Sequence, residues 1–116
     1  MKPGTALPMM YMSDAIRATL ELMEAPAEKI KVRTSYNLSG MSFTPEALGE
    51  EIGKHIEGFR LDYLPDFRQQ IADSWPDSID DHDARADWGW MARFDLEDMV
   101  EDMLENLARR GMIANV

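Results

Sequence analysis

No cysteine occurs among the 116 residues. Its absence removes disulfides, thiolate nucleophiles and cysteine-bound metal, and leaves packing alone to hold the chain. Histidine is nearly as scarce. His55 and His82 are the only two, and neither stands near a second histidine, so neither a zinc site nor a Ser-His-Asp arrangement is supported. Basic residues are outnumbered, 12 against 22 acids, for a net charge of -10. Nucleic-acid binding needs a clustered positive footprint, so this balance excludes a phosphate-backbone partner and argues against anionic membrane surfaces. Nothing approaches the length of an apolar membrane span. Met1-Lys2-Pro3-Gly4 meets a turn before any apolar run begins, without the pattern of an export signal, and the chain reads as cytoplasmic.

What remains is a chain of one-domain size with 45% hydrophobic residues, no repeat and no linker. A short extended run over residues 9–12 leads into a helix in which Ser13 is the expected N-cap and Asp14 lies in the first turn. Ile16, Leu20 and Met23 recur at helical spacing until Ala25-Pro26 breaks it. Alternation of Val32, Thr34 and Tyr36 predicts a second strand over residues 31–38. Thr44 caps the next helix, with Pro45 at its first position, Phe43 stapled onto Leu48, a stripe of Leu48, Ile52 and Ile56, and Gly58 as terminator. Phe59, Leu61 and Tyr63 alternate as in a third strand over residues 59–64. A short helix is expected over residues 80–88. A last helix runs from an Asp95 cap to Gly111, with Leu96, Met99, Val100, Met103, Leu104 and Leu107 on one face and Arg109-Arg110 at its negative end. The expected fold class is α+β, a small sheet of about three strands with four helices.

The segment 67–81, closed by Trp88-Gly89-Trp90, has no long hydrophobic period and reads as a positioned surface loop. Its acids, Asp77, Asp80, Asp81 and Asp83, lack the glycine and distal glutamate of a calcium loop, and Asp80 or Asp81 fits better as a helix cap. The ten methionines lie mostly at core spacing, where methionine fills irregular gaps.

Three runs carry a resemblance: residues 9–19 (Met-Met-Tyr-Met-Ser-Asp-Ala-Ile-Arg-Ala-Thr), residues 41–45 (Met-Ser-Phe-Thr-Pro) and residues 71–76 (Ile-Ala-Asp-Ser-Trp-Pro). Together they resemble the C-terminal third of the L-threonine 3-dehydrogenases, in the extended short-chain dehydrogenase/epimerase family. The resemblance implies that residues 1–116 form a substrate-side lobe whose parent enzyme oxidises L-threonine to 2-amino-3-ketobutyrate with NAD. It also implies that the strand over residues 31–38 sits at the edge of a nucleotide-binding sheet that this chain lacks. The family's own equipment is missing. The seven glycines never take the spacing of a dinucleotide fingerprint. Four residues after Tyr11, Tyr36 and Tyr63 stand Ala15, Gly40 and Phe67, so no Tyr-x-x-x-Lys pair exists. The chain alone is therefore expected to be inactive and to bind no NAD, with its own Rossmann domain and a second copy as its partners.

Carried onto this sequence, the resemblance makes Trp75 and Ser74 candidate walls of a small amino-acid pocket that excludes water. The alternative for Trp75 is a core plug between the last two helices. Arg68 is a candidate carboxylate ligand, set against pairing with Asp66 or Asp73. Leu7 stands where related nucleotide-sugar epimerases carry a diphosphate-binding arginine, seven residues before Asp14, and an apolar residue there fits an unphosphorylated substrate. Met9 completes the candidate set. Two other classes stay open: a free-standing protein-interaction module, and the lobe of a different NAD-dependent epimerase or dehydratase.

Overall fold

In the computed structural model, which describes residues 1–113, strand β1 (Leu7–Met9) pairs antiparallel with β2 (Met41–Phe43), placing Leu7 opposite Phe43 and Met9 opposite Met41. Gly40 permits this approach. A Cβ at that position would lie 2.7 Å from the Met9 carbonyl oxygen, which only glycine avoids without moving backbone. Among the described residues five α-helices accompany the ribbon: α1 (Met12–Glu24), α2 (Pro45–His55), α3 (Arg68–Asp73), α4 (His82–Trp88) and α5 (Leu96–Arg109), with a 3-10 turn at Ala27–Lys29.

The two best-signalled helices form as their caps dictate. The Thr44 side chain accepts the Ala47 N–H at 3.1 Å with Pro45 in the first turn, and Asp95 and Asp98 form a reciprocal capping box at the start of α5. Gly89 and Gly111 follow α4 and α5 with positive φ, as helix terminators do, whereas α2 ends at an extended Ile56 and Gly58, also at positive φ, serves the turn beyond it rather than terminating the helix. Helix α5 buries Val100 and Leu104 and packs against α2. The stripe of Leu48, Ile52 and Ile56 on α2 is only half-buried.

Three expectations fail. Residues 31–38 are not a strand: the Lys31 and Val32 N–H groups donate to the Tyr36 hydroxyl (3.0 and 3.1 Å), so the segment folds onto its own side chain and offers those donors to no neighbour. Residues 59–64 are not a strand either. They lie along α2, with Leu61 filling the space above Gly49, where a Cβ would come within 2.6 Å of Leu61 Cδ1. The α+β class holds, but among the described residues the sheet has two strands rather than three, and the helices number five because α3 arises inside the expected loop. In addition, α1 begins at Met12 with Tyr11 at the N-cap, so Ser13 lies inside the helix.

The centre is small: Ala18, Ala84 and Trp90, with Met10, Tyr36, Leu38, Trp88 and Ala92 packed around them. The Trp90 indole N–H donates to the Ser39 carbonyl at 3.0 Å, satisfying its one polar atom. Beside it lies Asp14, 1% exposed. Its Oδ2 accepts the backbone N–H groups of Arg93 and Phe94 (2.9 and 3.0 Å), and its Oδ1 accepts from Arg17 at 2.9 Å. Arg17 also donates to Glu21 and to the Met91 carbonyl, and its guanidinium lies 4.7 Å from the centre of a Trp90 ring. Burial pushes the Asp14 carboxyl up. The Phe94 N–H, Arg17 and the Arg93 N–H outweigh that and hold it below its ordinary value.

The assembly is flat. Its extents are 52 × 36 × 18 Å and its radius of gyration is 17.0 Å, against about 13 Å for a compact chain of this length.

Asp14→Asn removes the charge while keeping the shape, leaving Arg17 without its buried counter-ion, and is expected to cost roughly 3 kcal/mol. Because the folded carboxyl titrates below the unfolded one, this stabilisation is fully present above about pH 4 and is lost as pH falls through the lower folded value. Urea unfolding at pH 7 should show the full difference between wild type and variant, and the difference should shrink below pH 4.

Candidate functional site

Helix α3 and the turn after it build a cleft against β1. Asp66 starts the helix: its Oδ1 accepts the Arg68 N–H at 2.9 Å and its carbonyl accepts the Gln69 N–H at 3.0 Å. The Ser74 hydroxyl donates back to the Ile71 carbonyl at 2.7 Å, and the Trp75 N–H to that of Ala72 at 3.1 Å. Pro76 then prevents continuation of the helix. This hook places the Trp75 ring at the rim of the cleft, whose volume is about 360 Å³ and whose apolar walls include Leu7, Leu64, Ile71 and Trp75. A broader trough of about 550 Å³, walled by residues 2–6 and Asp77, lies on the other side of Trp75.

Gln69 holds the near wall in place. It is buried, its Nε2 donates to Thr5 Oγ1 and Asp73 Oδ1 (both 2.7 Å), and its Oε1 accepts the Lys2 N–H at 2.7 Å. The N-terminal segment, with Met1 on the cleft, is thereby tied to α3. Gln69 escaped the sequence reading because a glutamine in a polar run carries no signal of burial. The one hint was Asp73, four residues on and on the same helical face.

Leu7, Arg68 and Trp75 converge on this cleft, whereas Ser74 and Met9 do not line it. The Ser74 hydroxyl is spent on the helix end. Met9 faces a separate small hollow of about 100 Å³ between β1 and the segment before β2. Trp75 is 57% exposed while Trp90 is 1% exposed, so the core position belongs to Trp90. Arg68 is paired as its sequence neighbourhood indicated. Its Nη2 lies 2.6 Å from Asp66 Oδ2 and its Nε reaches both carboxylate oxygens. The Arg68 guanidinium holds the Asp66 carboxyl down at about 2, so the pair is ionised throughout the ordinary pH range.

Chemically, the cleft offers an apolar wall, one guanidinium already occupied by a carboxylate, and a buried amide. Its one lining carboxylate, Asp66, is committed to Arg68. Among the described residues no group of three or more acids and histidines is placed to hold a metal ion. Asp80 and Asp81 serve the turn before α4, accepting from the His82 N–H, Ser39 N–H and Arg85. A dinucleotide is held at a glycine-rich turn between strand and helix. The junctions after β1 and β2 carry Met10-Tyr11 and Thr44-Pro45 instead, so these residues do not fit an NAD pyrophosphate. No described helix is long and apolar enough to cross a membrane.

No protein-family profile matches the chain. Individual proteins do. It is 56% identical over 105 residues to the mitochondrial L-threonine 3-dehydrogenase of Bos taurus, covering 90% of this chain and 28% of that protein. An uncharacterized epimerase/dehydratase of Staphylococcus haemolyticus is 50% identical over 107 residues, covering 91% of this chain and 34% of its own length. Among solved structures, the GalE-like L-threonine dehydrogenase of Cupriavidus necator superposes with a TM-score of 0.89 at 61% identity, covering 92% of this chain and 38% of that one. The L-threonine dehydrogenase of Clostridium difficile gives 0.92 at 42% identity, covering 97% and 35%. The chain thus spans about a third of the length of the proteins it matches.

The contrast between the tryptophans is measurable. Trp90→Ala empties the centre and should cost roughly 3–5 kcal/mol. Trp75→Ala removes a half-exposed ring and should cost no more than about 1 kcal/mol. Thermal or urea unfolding of the two variants beside wild type checks this directly.

Proposed function

We propose that this chain, which belongs to the GalE-like L-threonine 3-dehydrogenases of the short-chain dehydrogenase/epimerase family and matches their C-terminal part, is the substrate-side lobe of an NAD-dependent L-threonine 3-dehydrogenase. The observation that carries the reading is the identity with threonine dehydrogenases over nine-tenths of the chain. The cleft gives it a physical role. Trp75, Ile71 and Leu7 supply an apolar wall suited to a small unphosphorylated substrate and to keeping water from it. Arg68 supplies a cationic side chain on that wall. Asp66 takes the Nε and Nη2 side of the guanidinium, so a substrate carboxylate would be received on the Nη1 side, with Asp66 holding the group in place. Hydride transfer to NAD and proton transfer from the substrate hydroxyl belong to the nucleotide-binding domain, which on this reading lies outside residues 1–116.

The test is a chimaera in which this chain replaces the matching segment of the Cupriavidus necator enzyme. It should reduce NAD in the presence of L-threonine. Trp75→Ala in the chimaera should raise KM for threonine or lower turnover by about tenfold, roughly the effect of losing 1.4 kcal/mol of transition-state binding. A chimaera that folds and binds NAD but leaves threonine untouched while converting a nucleotide sugar would replace this reading by that of an epimerase lobe.

The isolated chain should give no saturable NAD binding by calorimetry at micromolar concentration, because neither strand-to-helix junction has the glycines that let backbone amides approach a pyrophosphate.

A further inference from the structure

A buried amide side chain is tolerated when its oxygen accepts and its nitrogen donates, and Gln69 meets that condition across two hollows at once. The side chain itself lines the cleft with Ile71 and Trp75. The groups it bonds all belong to residues of the trough: Lys2, whose N–H it accepts, and Thr5 and Asp73, to which it donates. Ala72 and Trp75 line both hollows. The Gln69 amide, with three bonds of 2.7 Å, therefore stands between a cleft of about 360 Å³ and a trough of about 550 Å³ as the polar part of their shared wall.

The segment that supplies Lys2 and Thr5 does not depend on that amide alone. The Glu46 N–H, in the first turn of α2, donates to the Pro3 carbonyl at 3.1 Å, and the Thr5 N–H donates to the Lys2 carbonyl at 3.3 Å. Truncating Gln69 accordingly removes wall material while leaving the segment attached to α2. Size is what this wall controls. The cleft lies near the small end of the range for ligand sites, about 300–1,000 Å³, whereas cleft and trough in communication would lie near its upper end. A longer side chain must either stop at the wall or break its bonds, and unpairing buried polar groups costs more than one added methylene returns.

We propose that Gln69 is a specificity-determining positioning residue: its amide, held by Lys2, Thr5 and Asp73, closes the cleft off from the trough and limits the ligand to a carboxylate with a short side chain. The proposal rests on the reading of the cleft as the substrate pocket of an L-threonine dehydrogenase. It goes beyond that reading by naming the residue that excludes longer 3-hydroxy amino acids.

Straight-chain carboxylates test the size limit apart from turnover. Butyrate, hexanoate and octanoate present a carboxylate to Arg68 and tails of rising length to the apolar wall. The half-exposed Trp75 indole reports their entry by fluorescence, with Trp75→Phe identifying its share of the signal. In the wild-type chain affinity should level off along the series. In Gln69→Ala it should keep rising, so that octanoate gains about tenfold over wild type, roughly the effect of two further buried methylenes, while butyrate changes less than about threefold. Gln69→Glu sets a carboxylate against Asp73 and should also lift the limit. Gln69→Glu/Asp73→Asn exchanges amide and carboxylate across the same bond and should restore it, and this pair carries the test where Gln69→Ala does not fold. A lower melting temperature with the same length dependence in wild type and variants would make Gln69 a structural residue and overturn the proposal. So would the absence of saturable binding in all of them. In the Cupriavidus necator chimaera, Gln69→Ala should shift kcat/KM about tenfold toward 3-hydroxynorvaline, one methylene longer than threonine, chiefly through KM. A chimaera inactive on threonine, together with a length limit that the double variant restores, removes the proposed activity and leaves Gln69 in its role. An active chimaera whose preference ignores Gln69 overturns that role.

Discussion

The carboxylate of Asp14 is the contact on which the rest of this structure turns. A buried carboxylate is tolerated only when its lone pairs are filled and its charge is opposed. Here two backbone N–H groups from residues 93 and 94 and one guanidinium do both. Because the donors come from a segment 79 and 80 residues away in the chain, satisfying one side chain fixes where α5 begins relative to α1. The same guanidinium lies over Trp90 and accounts for the Met91 carbonyl. Helix, loop and central tryptophan are therefore placed by one cluster of charge-assisted hydrogen bonds rather than by a large apolar core.

That economy explains the flat shape. Among the described residues Ala18, Ala84 and Trp90 form the buried central cluster, and the two-stranded ribbon of three-residue strands contributes little alone. Polar side chains of α1 are used to build the inside, which leaves its apolar side without a cover. The same holds near the cleft, where Leu64, Phe67 and Ile71 stand exposed beside Trp75. The chain matches about a third of each relative's length.

The candidate site was legible in part. Leu7 and Trp75, named from the resemblance, and Arg68, named from its guanidinium, line one cleft. Arg68 was legible too as a partner of Asp66, because two residues of separation at a helix start allow that pair. Ser74 and Met9 were named with them but point elsewhere, since a residue adjacent in sequence to a wall need not share its direction. Gln69, which anchors the wall, was invisible: its partners Thr5 and Lys2 are 64 and 67 residues distant.

Local chemistry determined the helices. Thr44-Pro45, the Asp95 cap and Gly111 act within a few residues of themselves, so sequence alone sufficed to mark those ends. It also determined the apolar stripe of α1, because periodicity records which residues share a face. Which way that face points was decided only by the tertiary structure, since Asp14 and Arg17 draw the opposite side inward. Strand pairing was decided there as well. Residues 31–38 and 59–64 have strand-like alternation, but alternation supplies no partner, and the Tyr36 hydroxyl and α2 captured them first. The roles of the tryptophans divided in the same way: composition cannot say which of three indoles is central, and the contact of Trp90 with Ser39 and Arg17 settled it.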